Sequence, residues 1–587
     1  MYTSYFSYNF YQNFILSFIF LSINLIFIGI LSNNLKNKKI LLYGNFNFLI
    51  IFYLIFLLYS SILTFSLIFN IQKYLIFIFW ILLISELLFI LMNISKKDII
   101  PFKIKKLSLF DKNFLIVLIL LILFFFISIL PISDADSIAY HLNSVLHLFE
   151  NTNNEKINLE QFLEFSLLSN TEILLLFSII FSSDNFGSQL NFISISIFIL
   201  FFYKEKKLFS LVLLSCPLII FFVSTQKLQI FYGLLYLILF YLVHDKKIKS
   251  NFEVILFTLL IFFYSSGKIS YILFFFPLYF YFLILNLKKI KIIFYSSVFS
   301  FLIVYFPLFY LKYLLFQNPF SPFFYDFFNY NKEIFEPFVY SLRSTEGWLN
   351  GNIKNFFLPF LPLDIFELAS SLGLCFLLLL LDFKLLKNLH YIPIISIIIV
   401  LSTGQILPRY FLEIFLILSF FSNQNNKLII ATSIIQLSFV VIFTSLFLYK
   451  SYYELNVLKG TLNYKKNFSF SFNNNQNIEK LNLNGNILTF FDARPSIYAK
   501  KNIFSTRYLN VKNISKNGNE RENLSNFIIK NKIKFLINND ENLDLIDCIQ
   551  IRKINEVNFS KKFRNFLIQS KTEKSSVFLV NNTCNNQ

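Results

Sequence analysis

Cysteine is scarce in this chain. Four in 587 residues are too few for a disulfide scaffold or a zinc site. Cys216 and Cys375 fall within apolar runs and read as small core residues. Cys548 and Cys584 lie in the polar C-terminal stretch, where a bond between them requires that this part face an oxidising compartment. Glycine numbers only 12, and in the C-terminal stretch it is too sparse for a nucleotide-binding fingerprint. Charged residues make up just 14%. The first apolar run lacks a basic leader and a small-residue cleavage site, so no cleavable signal peptide is expected.

Apolar residues dominate. The chain is 56% hydrophobic, with 83 phenylalanines and a mean hydropathy of +0.62, more apolar surface than a soluble globule of this length can hide. Usage rich in Phe, Ile, Leu, Asn and Lys is typical of an AT-rich genome, so part of the bias is codon drift. The net charge of +19 sits mostly in short lysine-rich turns between apolar runs, a membrane-topology pattern, and no nucleic-acid partner is expected.

A spanning helix needs roughly 20 mainly apolar residues. Runs of that character lie near 14–32, 46–69, 72–94, 112–132, 186–203, 208–223, 228–243, 252–265, 269–287, 292–311, 363–381, 390–403, 409–421 and 428–449. The expectation is an α-helical polytopic membrane protein with about 14 spans over residues 1–450 and a small extracytoplasmic α/β domain over 451–587. Lysines at Lys36, Lys38 and Lys39, from Lys96 to Lys106, at Lys204 to Lys207, Lys246 to Lys249, Lys288 to Lys291, and at Lys384 and Lys387 would mark the cytoplasmic side. Parity then requires 171–183, which carries Glu172, to be re-entrant or interfacial rather than spanning. The N-terminus and the loops 133–185 and 312–362 fall on the outer side. In the terminal part, 486–494 reads as a buried strand followed by a polar turn, ENLSNFIIKN as a helix, KIKFLIN as a short strand and 575–580 as a last strand, an α/β alternation.

The first outer loop opens with PISDADSIAYHLNSVLHLFE, residues 131–150. Asp134 and Asp136 follow a candidate span directly, and Asp136 and Tyr140 share a helix face. Capping of the helix by Asp134, with Asp136 in its first turn, is the plain structural account. The functional account is a general base at the membrane surface. Gln226, Lys227 and Gln229 form a hairpin between apolar runs, Lys268 lies in YSSGKISY, and Arg409 and Tyr410 lie in ILPRYFL. A single cation at a boundary usually snorkels. Three on the side where positive charge is disfavoured suit a phosphate-bearing lipid. In FQNPFSPFFYDFF (316–328) two prolines shape an aromatic loop. Interface aromatics are usually belt residues, although sugar rings also stack on them.

These motifs together resemble the GT-C superfamily of polyprenyl-phosphate-dependent glycosyltransferases, which includes protein O-mannosyltransferases and lipid A aminoarabinose transferases. Asp136-Ser-Ile-Ala-Tyr140-His141-Leu142 resembles a bacterial subgroup's Asp-x-x-x-Tyr-His-Leu. NPFSP (318–322) is similar to its Gly-Asn-Pro-x-x-Pro loop, Pro408-Arg409-Tyr410 to its late Arg-Tyr motif, and QKLQ (226–229) to its Gln-Lys-Pro-Gln turn. The likeness covers roughly 110–450.

The resemblance implies an inverting glycosyltransferase of the bacterial inner membrane. It would move a sugar from a polyprenyl-phosphate donor to a glycan, lipid or protein acceptor on the outer face. Asp136 would be the base, with Asp134 orienting it or binding the acceptor. Lys227, Lys268 and Arg409 would hold the phosphate, with Tyr140, His141, Gln226, Gln229, Asn318 and Tyr410 also contacting substrate. No cofactor is indicated. The alternatives are a lipid-linked glycan flippase or transporter, and an O-antigen-type polymerase or ligase.

Overall fold

The computed structural model describes residues 6, 10–37, 46–94, 112–132, 134, 136–151, 163–245, 248, 250–328, 332–344, 357–361, 371–454, 458, 470–490, 502–505, 520–538, 543, 545–562 and 570–584. Several sequence expectations lie outside these residues. They are the N-terminus, the lysines from Lys38 to Lys39, from Lys96 to Lys106, and Lys246, Lys247 and Lys249, residues 152–162 of the first loop, 345–356 of the second, and 491–494.

Among the described residues, five helices are long and apolar enough to cross a bilayer: α1 (Phe10–Leu35), α2 (Phe46–Ile68), α3 (Gln72–Asn93), α4 (Leu287–Phe316) and α5 (Lys427–Tyr453). The chain is accordingly membrane-associated and multi-pass. Apart from α2, less than half of each is buried in the protein, and exposed residues such as Phe77, Leu91, Phe294, Ile435 and Leu446 leave apolar surface suited to lipid. Asn426 starts α5 by accepting from the amides of Leu428 and Ile429, donors with no partner inside the helix.

The expected 14-span architecture is therefore corrected. Most of the remaining apolar runs form helices of 17 residues or fewer, among them Phe186–Phe202, Gln229–His244, Asn251–Ser266 and Ile392–Ser402. The 208–223 run breaks at Cys216, where Pro217 begins a new helix, giving Lys207–Ser215 and Pro217–Val223. The described part of 363–381 holds only Leu374–Leu380. Hydropathy scores a helix buried in protein and one facing lipid alike. In Gln229–His244 every residue but Tyr241 and His244 is buried, so its apolar character belongs to a helix bundle's core. The lysine parity argument, which needs paired crossings throughout, loses its basis.

The 171–183 stretch is two short helices, Asn170–Leu174 and Phe177–Ile180, each wholly buried. Ser169 begins the first with a reciprocal cap: its side chain accepts a helix amide while Glu172 accepts the Ser169 amide, the pattern that Ser-x-x-Glu favours.

The C-terminal part holds a five-stranded sheet in the order β2-β1-β3-β5-β4. Its strands are β1 (Asn486–Thr489), β2 (Ile503–Ser505), β3 (Ile533–Asn538), β4 (Ile549–Lys562) and β5 (Ser570–Asn582). β1 runs parallel to β2 and β3, whereas β5 is antiparallel to β3 and β4. The helix Glu520–Lys530 lies between β2 and β3 in sequence, as a parallel crossover requires. Alternate residues Ile487, Ile537 and Val577 are buried in one cluster. Cys548 and Cys584 are disulfide-bonded at the open end of the β4–β5 hairpin.

Candidate functional site: a carboxylate–lysine cluster and an adjoining cationic cavity

Asp134 and Asp136 precede and begin a helical stretch, Ser137–His141 continuing as Leu142–Glu150. Asp134 Oδ2 accepts from the Ser137 amide at 2.9 Å and from Ser137 Oγ at 2.7 Å, so Asp134 does cap this helix. It also lies 3.5 Å from Lys227 Nζ, and Asp136 Oδ2 lies 2.9 Å from the same ammonium. Lys227 is buried and also sits over the Phe221 ring, 4.8 Å from its centroid. The Asp136 side chain remains 36% exposed while that of Asp134 is 6% exposed. Of the two acids, Asp136 is the one a substrate can reach.

The turn that presents Lys227 is fixed from several sides. The Gln226 amide donates to Ser137 Oγ at 3.0 Å. Gln226 Oε1 accepts from the Gly187 amide at 2.8 Å, and its Nε2 donates to the Asp184 carbonyl. Asn191 Nδ2 donates to the Lys227 carbonyl at 2.7 Å. Gln229 Nε2 donates to the Arg409 carbonyl at 3.3 Å. Gln226 and Gln229 thus position backbone, joining the 226–229 turn to the 183–187 and 409 turns.

Tyr140 and His141 lie next to this cluster. His141 Nδ1 is 2.8 Å from Glu172 Oε1, and Ser169 donates from both its amide and hydroxyl to Glu172 Oε2. Tyr140 packs on His141, ring centroids 4.4 Å apart. Its phenol is pushed well above the usual tyrosine range, first by desolvation and then by the charge of Glu172.

Ser169 also lines a second feature, a cavity of about 770 Å³. Its walls include Leu273, Leu308, Phe309, Phe320 and Phe323, and into this apolar lining come Lys268, Lys312 and Tyr410. Lys268 Nζ lies 5.5 Å from the Tyr410 ring centroid, and Arg409 Cζ lies 5.2 Å from it. Lys312 Nζ donates to the Ser321 carbonyl at 2.6 Å. Asn318 is fully buried, and its two side-chain groups hold the loop itself: Nδ2 donates to the Phe323 carbonyl and Oδ1 accepts from the Phe320 amide, both at 2.9 Å. The proline-shaped loop therefore forms a wall, with Asn318 as its internal brace.

The sequence-derived residues thus group in two places. Asp134, Asp136, Gln226 and Lys227 meet at the first cluster, while Lys268 and Arg409 meet at Tyr410. Ser169 joins the cavity wall to Glu172, whose other oxygen meets His141. Glu172, Ser169, Lys312 and Glu413 were not among the residues expected to act. The signals were present: the Ser-x-x-Glu cap, and single ionisable groups within apolar runs. Glu413 is fully buried, and neither of its oxygens makes a hydrogen bond of ordinary geometry. Burial pushes its carboxyl up to about 8, with nearby Lys268 pulling the other way.

No family model, no curated protein and no solved structure matches the chain. Together with the five long apolar helices, that result overturns the reading as a GT-C polyprenyl-phosphate glycosyltransferase, and nothing supports its flippase or polymerase alternatives. The motifs behind the resemblance are three to seven residues each, short enough to recur by chance where 20% of residues are aromatic.

Proposed function

We propose that the chain is a membrane enzyme whose substrate is an amphiphile with an anionic, phosphate-like headgroup. The cavity carries the reading: an apolar chamber with two lysines in its wall suits a lipid whose tail is apolar and whose head is negative. Lysine supplies point charges for phosphate. Asp136, the exposed acid of the ion-paired cluster, is the candidate general base, with Lys227 and the Asp134-capped turn orienting it. The partners are a phosphate-bearing lipid and the bilayer.

The localisation we propose is the cytoplasmic membrane of a bacterium, with the sheet domain outside. The Cys548–Cys584 bond supports that placement, since disulfides persist in oxidising compartments.

Photocrosslinking in detergent micelles tests the substrate class. A photoactivatable lipid phosphate should label the lining of the cavity, and Lys268→Gln should weaken its binding about tenfold, the order of one charge-assisted contact. A neutral diacylglycerol probe should be unaffected by the substitution. Equal retention of both probes by the variant would rule out the headgroup assignment.

A further inference from the structure

Glu86 is an acid in a bilayer-length helix. The buried face of α3 consists of Gln72, Leu75, Phe79, Leu83, Glu86 and Ile90, while Ile81, Leu88 and Leu91 on other faces are exposed. Glu86 thus occupies a core position facing α1 and α2. Such residues in spans are costly and usually functional.

Its surroundings allow a proton count. Asn24 Nδ2 donates to the Phe20 carbonyl at 3.0 Å, which fixes the amide so that Oδ1 faces Tyr59. Tyr59 Oη lies 2.6 Å from that oxygen and is also in short contact with Glu86 Oε1. Two oxygens this close need a proton between them, so the pair of contacts needs two. Asn24 Oδ1 has none to give and Tyr59 has one. The second must be on Glu86.

The setting agrees. The Tyr59 ring is packed against Phe20, Phe79 and Phe177. Glu86 Oε2 has no hydrogen-bond partner, and among the described residues no cation pairs with Glu86. A carboxylate there would be buried with no cation beside it and at most the single Tyr59 hydroxyl to donate to it, whereas a carboxylic acid loses only one weak acceptor contact.

We propose that Glu86 is an intramembrane proton-binding site. It is a neutral carboxylic acid that donates to Tyr59, which donates to Asn24, and this chain joins α1, α2 and α3. The ligand is a single proton, which leaves only when the three-helix seam opens to a base or to water. This assignment is independent of the lipid cavity.

Infrared difference spectroscopy of the full-length protein in lipid nanodiscs at pH 7 tests it. Subtracting Glu86→Gln from wild type should reveal one carbonyl band of a protonated carboxylic acid. Glutamine keeps the seam, since Nε2 donates to Tyr59 as the acid does. In Tyr59→Phe the acid band should persist and move to the position of a carbonyl whose hydroxyl lacks an acceptor, a readout that remains should Glu86→Gln fail to fold. Carboxylate stretching bands in either difference spectrum, in place of the acid band, would overturn the proposal.

Discussion

At the residue scale, the two aspartates beside Lys227 have different roles, and substitution should separate them. Lys227→Met leaves Asp134 buried without its cation, so thermal unfolding in detergent should show a loss of about 3 kcal/mol, the order found when a buried pair loses one member. Asp136→Asn, at a partly exposed position with Lys227 still beside Asp134, should cost under about 1 kcal/mol. It should nonetheless reduce turnover of a lipid-phosphate substrate by at least ~100-fold, the lower end of what a general base contributes. A variant that keeps full turnover would remove Asp136 from the chemistry. Glu413 adds a pH dependence. With its carboxyl pushed up to about 8 by burial, it is neutral at pH 7 and does not offset the charge of Lys268. As pH rises through that value it ionises, offsets Lys268 and weakens lipid-phosphate binding. A binding titration from pH 6 to 9 should show this fall, and Glu413→Gln should make it shallower.

At the element scale, the sequence disclosed which residues make local structure better than which helices meet lipid. The Asp134 cap and the turn at Gln226 and Lys227 follow from short-range chemistry and were legible. So were the cores of β1, β3 and β5, because 486–489, 533–538 and 575–580 read as apolar runs. Span number was not legible, since hydropathy carries no information about whether Leu237 or Phe240 faces lipid or another helix, and in the structure both are fully buried. The meeting of Lys268 with Arg409 over Tyr410 lies between segments some 140 residues apart, beyond any local pattern. One glycine tests how tightly the site turn is held. A Cβ at Gly187 would fall within contact distance of Gln226 Oε1 and 2.9 Å from Leu175. Gly187→Ala should therefore displace the amide that seats Lys227, costing roughly 1–3 kcal/mol of stability as overpacking does and lowering turnover along with it. A Tm and turnover equal to wild type would show that the turn is set elsewhere.

At the scale of the whole molecule, parts distant in sequence depend on one another. The Cys548–Cys584 bond closes a separation of 36 residues, for which loop-closure entropy gives about 4 kcal/mol. Limited proteolysis under reducing conditions should cut the sheet domain first and leave the helical part intact. The first helix has a comparable hold on the site. Asn13 and Asp184 exchange two hydrogen bonds, side chain to side chain at 2.5 Å and Asp184 amide to Asn13 Oδ1 at 3.1 Å, and Ser17 donates to Gln189 at 2.9 Å. The Asp184 carbonyl in turn receives the side chain of Gln226, the residue immediately before Lys227. Polar pegs from the first helix are thus set into the floor beneath the turn that carries Lys227. Breaking these pegs with Asn13→Ala and Ser17→Ala together should lower turnover by loosening the seat of Gln226.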